Sequence, residues 1–197
     1  MLATSGRPAG DLNAWAAEPK LDGWRCQVSL DTSLPGGGCV RTRPGRDITN
    51  RLDVVAGLTD LGVDVVLDGE LVAGAGRLTD FYDVAPALAR RHRREPLTFV
   101  AFDLLAFAGE VIINEPYEVR RQLLDRLVAL SDGRLTAVPS WAGADAELLL
   151  DACDSQLVEG LVLKRLNSVY LPGRRTTCWR KVKISGWADH AERRRPR

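Results

Sequence analysis

Residues 18–25 read Glu-Pro-Lys-Leu-Asp-Gly-Trp-Arg, which sets Lys20 two positions from Glu18 and two from Asp22, with Gly23 and Arg25 close behind. A lysine in that company is a candidate covalent nucleophile, because a deprotonated amine attacks phosphorus or carbon electrophiles once neighbouring charges tune it. The string alone is weak: K-x-D-G also arises by chance in plain strand-to-turn segments. Four further clusters strengthen it. Arg41, Arg43 and Arg46 surround the Pro44-Gly45 turn, where guanidinium forks can grip a phosphate bidentately, although a solvated basic turn is the plainer reading. Asp68 and Glu70 follow an apolar run, either as functional carboxylates or as exposed acids of a type I′ turn.

Phe102 and Asp103 lie inside the apolar run 97–105. Phe102 reads by default as a core aromatic, but an acid in a buried strand is expensive unless it is paired or binds something. The fourth cluster joins Glu159-Gly160-Leu161-Val162-Leu163-Lys164 to Trp179-Arg180-Lys181-Val182-Lys183. Lys181 and Lys183 alternate along a strand and so share a face, where they repel each other. A wet outer face tolerates that repulsion, and a site for a polyanion requires it.

The elements that must position these groups follow from periodicity. Apolar alternation at Cys26, Val28 and Leu30 predicts a half-buried strand, and the turn residues 34–38 lead to a second strand at 39–42, which makes a hairpin. Leu52, Val55, Leu58 and Leu61 follow a helical face from an N-cap at Thr49. A buried strand at 63–67 comes next. A helix over 79–94 would gather Arg90, Arg91, Arg93 and Arg94 at its end, favourably for the helix dipole or as a phosphate contact. The run 97–105 is the strongest strand, rich in aromatic and branched residues. Helical spacing returns at 118–130 and 144–153, and apolar strands at 160–164 and 179–184 close the domain. Strand pairs broken by single helices predict an α+β fold with antiparallel sheets.

Composition limits the choices. At 197 residues, with 45% hydrophobic and 27% charged residues, the chain has the make-up of one soluble domain with a real core, and a second full domain is not expected. The net charge of +1 does not by itself announce a nucleic-acid binder. Cys26, Cys39, Cys153 and Cys178 are widely spaced, with no C-x-x-C pair, which argues against zinc or a disulfide framework and for a reduced, cytoplasmic setting. With neither an 18-residue apolar run nor a signal peptide, no membrane association is expected. Residues 1–14, rich in Gly, Pro and small side chains, read as an irregular lead-in, 15–184 as the working domain, and 185–197 as a basic, disordered tail.

Taken in order, residues 20–25, 42–47, 99–105, 159–164 and 179–183 resemble the signature of the covalent nucleotidyltransferases, and most of all the adenylation domain of bacterial ATP-dependent DNA ligases of the end-joining type. The resemblance covers residues 15–184. It implies the ligase and mRNA-capping catalytic fold, with two mainly antiparallel sheets flanked by helices. It also implies that Lys20 attacks the α-phosphate of ATP and carries AMP, which passes to the 5′-phosphate of a nick before the 3′-hydroxyl displaces it. On the same basis Glu18 lies near the adenine, Arg25 and Arg43 near nucleotide or nick phosphates, and Phe102 against the adenine face. Glu70 lies near the ribose or a metal, Glu159 helps hold magnesium or manganese, and Lys164, Lys181 and Lys183 contact the nucleotide phosphates. Asp22 and Gly23 belong to the nucleophile's own motif. The physical argument agrees: nearby lysines and a metal depress an amine's pKa, while the same cations stabilise the transferring phosphoryl group.

Family members normally continue into an oligonucleotide-binding barrel that orients the pyrophosphate. Only 14 residues follow Lys183 here, too few for such a barrel. The expectation is therefore slow self-adenylation, or reliance on a separate barrel-bearing or end-joining repair protein. The partner implied is nicked double-stranded DNA met by a monomer in the bacterial cytoplasm, at the nucleoid, in DNA repair and recombination. Two alternatives are a truncated ligase-derived module that binds ATP or DNA without full activity, and an RNA ligase or capping-type nucleotidyltransferase.

Overall fold

A computed structural model of the chain describes residues 1–34, 36–51, 58–73, 84, 88, 97–155 and 158–184. The chain divides into two compact units. The first takes in Met1–Leu21, Glu115–Glu118 and the chain from Val138 onward; the second takes in Asp22–Asn114 and Val119–Ala137. The described strands form one sheet in each unit, and most neighbours run antiparallel, as the α+β expectation required.

The first unit holds β1 (Leu2–Ser5), β2 (Trp15–Pro19), β9 (Trp141–Ala142), β10 (Gly160–Arg165) and β11 (Arg175–Lys183), in the order β1-β11-β10-β2-β9. Helix α2 (Ala146–Ser155) presents Ala146, Leu149, Leu150 and Cys153, spaced i, i+3, i+4, i+7, to a core of Trp15, Ala17, Leu161, Leu163 and Val182. The opposite face of the sheet carries the polar side chains Glu18, Lys164, Lys181 and Lys183, with Ala16, Val162 and Trp179 among them. The opening residues are not an irregular lead-in, since β1 pairs in parallel with β11 and Met1 is buried. This edge pairing also extends β11 back to Arg175, through a polar stretch that apolar alternation alone does not mark as strand.

The second unit holds β3 (Trp24–Leu30), β4 (Gly38–Thr42), β5 (Val65–Ala73), β6 (Leu97–Phe107), β7 (Glu110–Val111) and β8 (Thr136–Ala137). Its order is β4-β3-β5-β6-β7, with β8 parallel to β6. Helix α1 (Tyr117–Leu130) adds Leu124 and Leu127 to a core that includes Val28, Leu67, Leu71 and Phe99. Residues 68–70 do not form a turn; β5 runs straight through them. Gly69 suits that strand because a Cβ there would stand 2.5 Å from the Phe99 ring and 2.6 Å from the Val100 carbonyl oxygen. Glycine here marks a close approach of neighbouring groups.

The β3–β4 hairpin and the helix expected at 118–130 are as predicted. A 3-10 turn at Gly143–Asp145 precedes α2. Thr49–Arg51 form a 3-10 turn, and residues 52–57 of the helix expected there lie outside the described residues. So do the helix expected at 79–94, apart from Val84 and Leu88, its four arginines, and the tail 185–197. Among the described residues no helix is long and apolar enough to cross a membrane.

Cys26 sits in the second core, where burial first, then the Glu70 and Asp68 charges, push its thiol up to about 12 from an ordinary 9.0. The folded chain therefore keeps this proton after the unfolded chain has released it. The corresponding stability is intact below pH 9 and is lost as pH rises from 9 toward 12. Comparing denaturant stability at pH 7 and pH 10.5, Cys26→Ala is expected to shrink the alkaline loss by about 2 kcal/mol. Equal losses in both proteins would refute this.

Candidate active site

In the first unit the register assembles the polar face of the sheet. Val162 pairs with Glu18 on one side and Lys181 on the other, Lys164 with Ala16 and Trp179, and Gly160 with Lys183. Lys20 lies one residue past β2, its N–H still donating to the Gly160 carbonyl at 2.7 Å. Directly paired residues of an antiparallel ladder project to the same side. Glu18, Lys20, Lys164, Lys181 and Lys183 therefore share a face, and they descend along it in levels about 7 Å apart. Lys20 and Lys183 stand at the first level, Glu18 and Lys181 at the second, Lys164 and Trp179 at the third.

The first level is organised by Glu159. Its carboxylate is buried and accepts Lys20 Nζ on Oε2 and Lys183 Nζ on Oε1. Lys181 is half-buried beside them, and its ammonium is held below the ordinary lysine value by burial first, then by the Lys183 and Lys20 cations. Three lysines around one carboxylate leave a surplus of positive charge, which suits a polyanion. Among the described residues no group of three His, Cys, Asp or Glu gathers to hold a metal unaided. Glu159 fits a magnesium-type ion only as one oxygen ligand, with phosphate and water supplying the rest, which is the usual habit of that ion.

The third level differs. Lys164 Nζ lies 2.7 Å from Glu18 Oε2 and is almost wholly buried. Its ammonium stands 4.9 Å from the Tyr117 ring centroid and 4.5 Å from that of Trp179. The Tyr117 hydroxyl donates to Glu18 Oε1. Lys164 thus stands in a buried cluster, apart from the half-exposed cations expected to meet phosphate.

The second unit gathers Arg25, Arg43, Glu70 and Phe102. A cleft of about 480 Å³ is lined by Gly23, Trp24, Arg25, Thr42, Arg43, Pro44, Arg46 and Glu70. The turn after β4 is closed by Thr42 N–H to the Arg46 carbonyl at 2.9 Å, and the Arg43 N–H donates to the Arg25 carbonyl at 3.0 Å. That leaves the Arg43 and Arg46 side chains in solvent. Arg25 forks onto buried Asp68, Nε to Oδ1 at 3.0 Å and Nη2 to Oδ2 at 2.6 Å, and stands 5.4 Å above the half-buried Phe102 ring. Gly23 has no alternative residue: a Cβ would meet the Leu71 carbonyl oxygen at 2.3 Å. Asp22 is half-buried at the start of this unit.

The sequence-predicted residues therefore fall in two sets. Glu18, Lys20, Glu159, Lys164, Lys181 and Lys183 come together in the first unit, and Arg25, Arg43, Glu70 and Phe102 in the second. Sequence reasoning missed Tyr117 and Trp179 around Lys164, and the pairing of Asp68 with Arg25. It also missed Arg120, whose Nε and Nη2 hold Asp103 at 2.8 and 2.9 Å with both side chains wholly buried. The only available signal was Asp103 itself, an acid whose cost demanded a partner.

The profile of the ATP dependent DNA ligase domain matches residues 5–183. The chain is 34% identical to the multifunctional non-homologous end joining DNA repair protein LigD of Mycobacterium tuberculosis, over 95% of this chain and 25% of that protein. A probable DNA ligase of Streptomyces avermitilis is 37% identical over 93% of this chain and 38% of its own length. The solved structure of mycobacterial DNA ligase D complexed with ATP and MES superposes with a TM-score of 0.74 at 34% identity, covering 92% of this chain and 58% of that one. The chain thus spans well under half the length of these two curated relatives. The likeness runs through both units and every strand that carries a candidate residue, so the chain belongs to the ATP-dependent DNA ligase domain family.

Proposed function

We propose that this chain is the adenylation domain of a DNA ligase, which charges Lys20 with AMP from ATP and passes the adenylate to the 5′-phosphate of nicked DNA. The observation that carries the reading is the polar sheet face on which Lys20, Lys181 and Lys183 crowd around Glu159. Lys20 leaves Glu159, gives a proton to solvent water and attacks the α-phosphorus with the lone pair so freed. The N–P bond forms as the bond to the bridging oxygen breaks, and pyrophosphate leaves with the electron pair. Lys181 and Lys183 offset the charge that grows on the phosphate oxygens.

In the second step an oxygen of the nick's 5′-phosphate attacks the same phosphorus, the N–P bond breaks, and the Lys20 nitrogen regains a proton. The nick's 3′-hydroxyl then loses its proton, attacks the 5′-phosphorus and expels AMP. Arg43 and Arg46, exposed at the mouth of the cleft, suit the nick phosphates. Magnesium or manganese would be held by Glu159 as one oxygen ligand together with phosphate oxygens and water, and would supply charge neutralisation when bound. The end-joining relatives support a role in DNA repair.

The test is incubation with magnesium and ATP radiolabelled at either the α or the γ phosphate, followed by a denaturing gel. The protein band is expected to take label from the α position and none from the γ. No label from either, or label from both, would sink the reading.

A further inference from the structure

In the second unit the polar face of the sheet runs on past the cleft. The β3–β4 register sets Gln27 opposite Arg41 and Ser29 opposite Cys39, and the Arg43 N–H to the Arg25 carbonyl continues the same ladder by one pair. Paired residues of an antiparallel ladder project to one side. Arg43 and Arg25 therefore form the first row of this face, Arg41 and Gln27 the second, and Cys39 and Ser29 the third, in steps of about 7 Å. The first row lines the cleft, whereas Gln27 and Arg41 lie outside its lining and are exposed. Arg41 Nε donates to Cys39 Sγ at 3.4 Å, and Asp47 is the backbone partner of Arg41 in an isolated bridge. The Asp47 carboxylate is already engaged: Oδ1 accepts the Thr49 N–H at 2.9 Å and the Thr49 hydroxyl at 2.7 Å, and Oδ2 accepts the Cys39 thiol at 3.5 Å. Residues 39–47 thus set Arg41, Arg43 and Arg46 against one carboxylate. An exposed arginine beside a single acid adds little to stability.

We propose that Arg41 and Gln27 hold the DNA backbone one phosphate away from the one on Arg43, so that the outer face of the β3–β4 hairpin is a phosphate track leading away from the nick. The inference rests on the DNA ligase reading above. Successive phosphates of a DNA strand follow one another at a step close to the spacing of these rows. A strand with one phosphate on Arg43 therefore brings its neighbour to the second row, where a guanidinium and an amide stand side by side. Both groups are ordinary donors to phosphate oxygens. Their shares differ: Arg41 supplies a charge that displaces a condensed counterion, and Gln27 supplies a neutral hydrogen bond. Contacts of this kind fix the position of the duplex and read no base.

Fluorescence anisotropy of the full chain with a labelled nicked duplex, repeated across a salt series, separates the two shares. Arg41→Gln keeps a polar side chain without the charge. It is expected to weaken binding about fivefold at low salt and to flatten the slope of log affinity against log salt by about one. Arg41→Lys restores the charge and should restore the slope. Gln27→Ala should weaken binding about twofold with the slope unchanged, because a neutral donor releases no counterion. Arg126→Gln, at an exposed arginine of α1 that is not part of this ladder, corrects for net charge and should keep the parent's slope. A slope unaltered by Arg41→Gln, or flattened equally by Arg126→Gln, would overturn the proposal, and so would a parent with no salt-dependent binding to the nicked duplex. The adenylation reading is judged separately by the covalent label formed without DNA. A chain that takes the label and keeps its slope in Arg41→Gln defeats this inference alone; one that takes no label but loses slope in Arg41→Gln defeats that reading alone.

Discussion

Lys20→Ala is expected to abolish the covalent nucleotide label, by about 10⁴-fold or more, the scale on which loss of an enzyme's nucleophile is felt. Lys20→Arg should fail as completely. A guanidinium keeps the positive charge and can still pair with Glu159, but it does not deprotonate in proteins and so offers no lone pair to phosphorus. The two variants together separate charge from nucleophilicity. Because Lys20 is one of three lysines gathered around Glu159, and Lys183 still holds that carboxylate, both variants should bind ATP within a few-fold of the parent. The measurement is label formation against calorimetric affinity on the same preparations. Label surviving in Lys20→Arg would mean that the nucleophile lies elsewhere.

Arg120→Met is expected to produce the largest loss of stability, about 3–5 kcal/mol, the usual cost of leaving a buried charge without its partner. The register sharpens the argument. Asp103 on β6 lies opposite Asp68 on β5, and both carboxylates are wholly buried. Two facing acids repel, and each is neutralised by its own forked arginine, Arg120 for Asp103 and Arg25 for Asp68. Taking away Arg120 strands Asp103 next to a second carboxylate. For a chain of this size the loss corresponds to a fall in melting temperature of about 10 °C. The double variant Arg120→Met with Asp103→Leu removes both charges and should regain most of the stability. Thermal unfolding of the parent, the two single variants and the double variant forms a cycle, and a double variant no better than Arg120→Met would refute the account.

Much of the fold could be read from local pattern. Period-two alternation marked β3 and β10, the apolar density of 97–105 marked β6, and 3.6-residue spacing marked α1 and α2. The failures share one cause. β1 and the first half of β11 are polar or short, and become strands only because each supplies the other with a hydrogen-bonded edge. Residues 68–70 resemble a turn by composition, yet lie in mid-strand because Gly69 lets Phe99 press against the backbone. Neither fact exists until distant segments meet.

The candidate site divides in the same way. Lys20, Glu159, Lys181 and Lys183 were legible because their chemistry requires those residue types, and period two places Lys181 and Lys183 on one face whatever the rest of the chain does. Their gathering around a single carboxylate comes from the β2–β10–β11 register, which brings together positions more than 130 apart in the chain, such as Lys20 and Glu159. Lys164 shows the limit of reading by type. In the sequence it is one more lysine in a row of cations, and only burial beside Glu18, Tyr117 and Trp179 separates it from the others. A side chain's functional groups are inherent in its identity; its desolvation and its partners depend on which segments fold against it, and these decide whether a lysine grips phosphate, attacks it, or holds a neighbouring carboxylate in place.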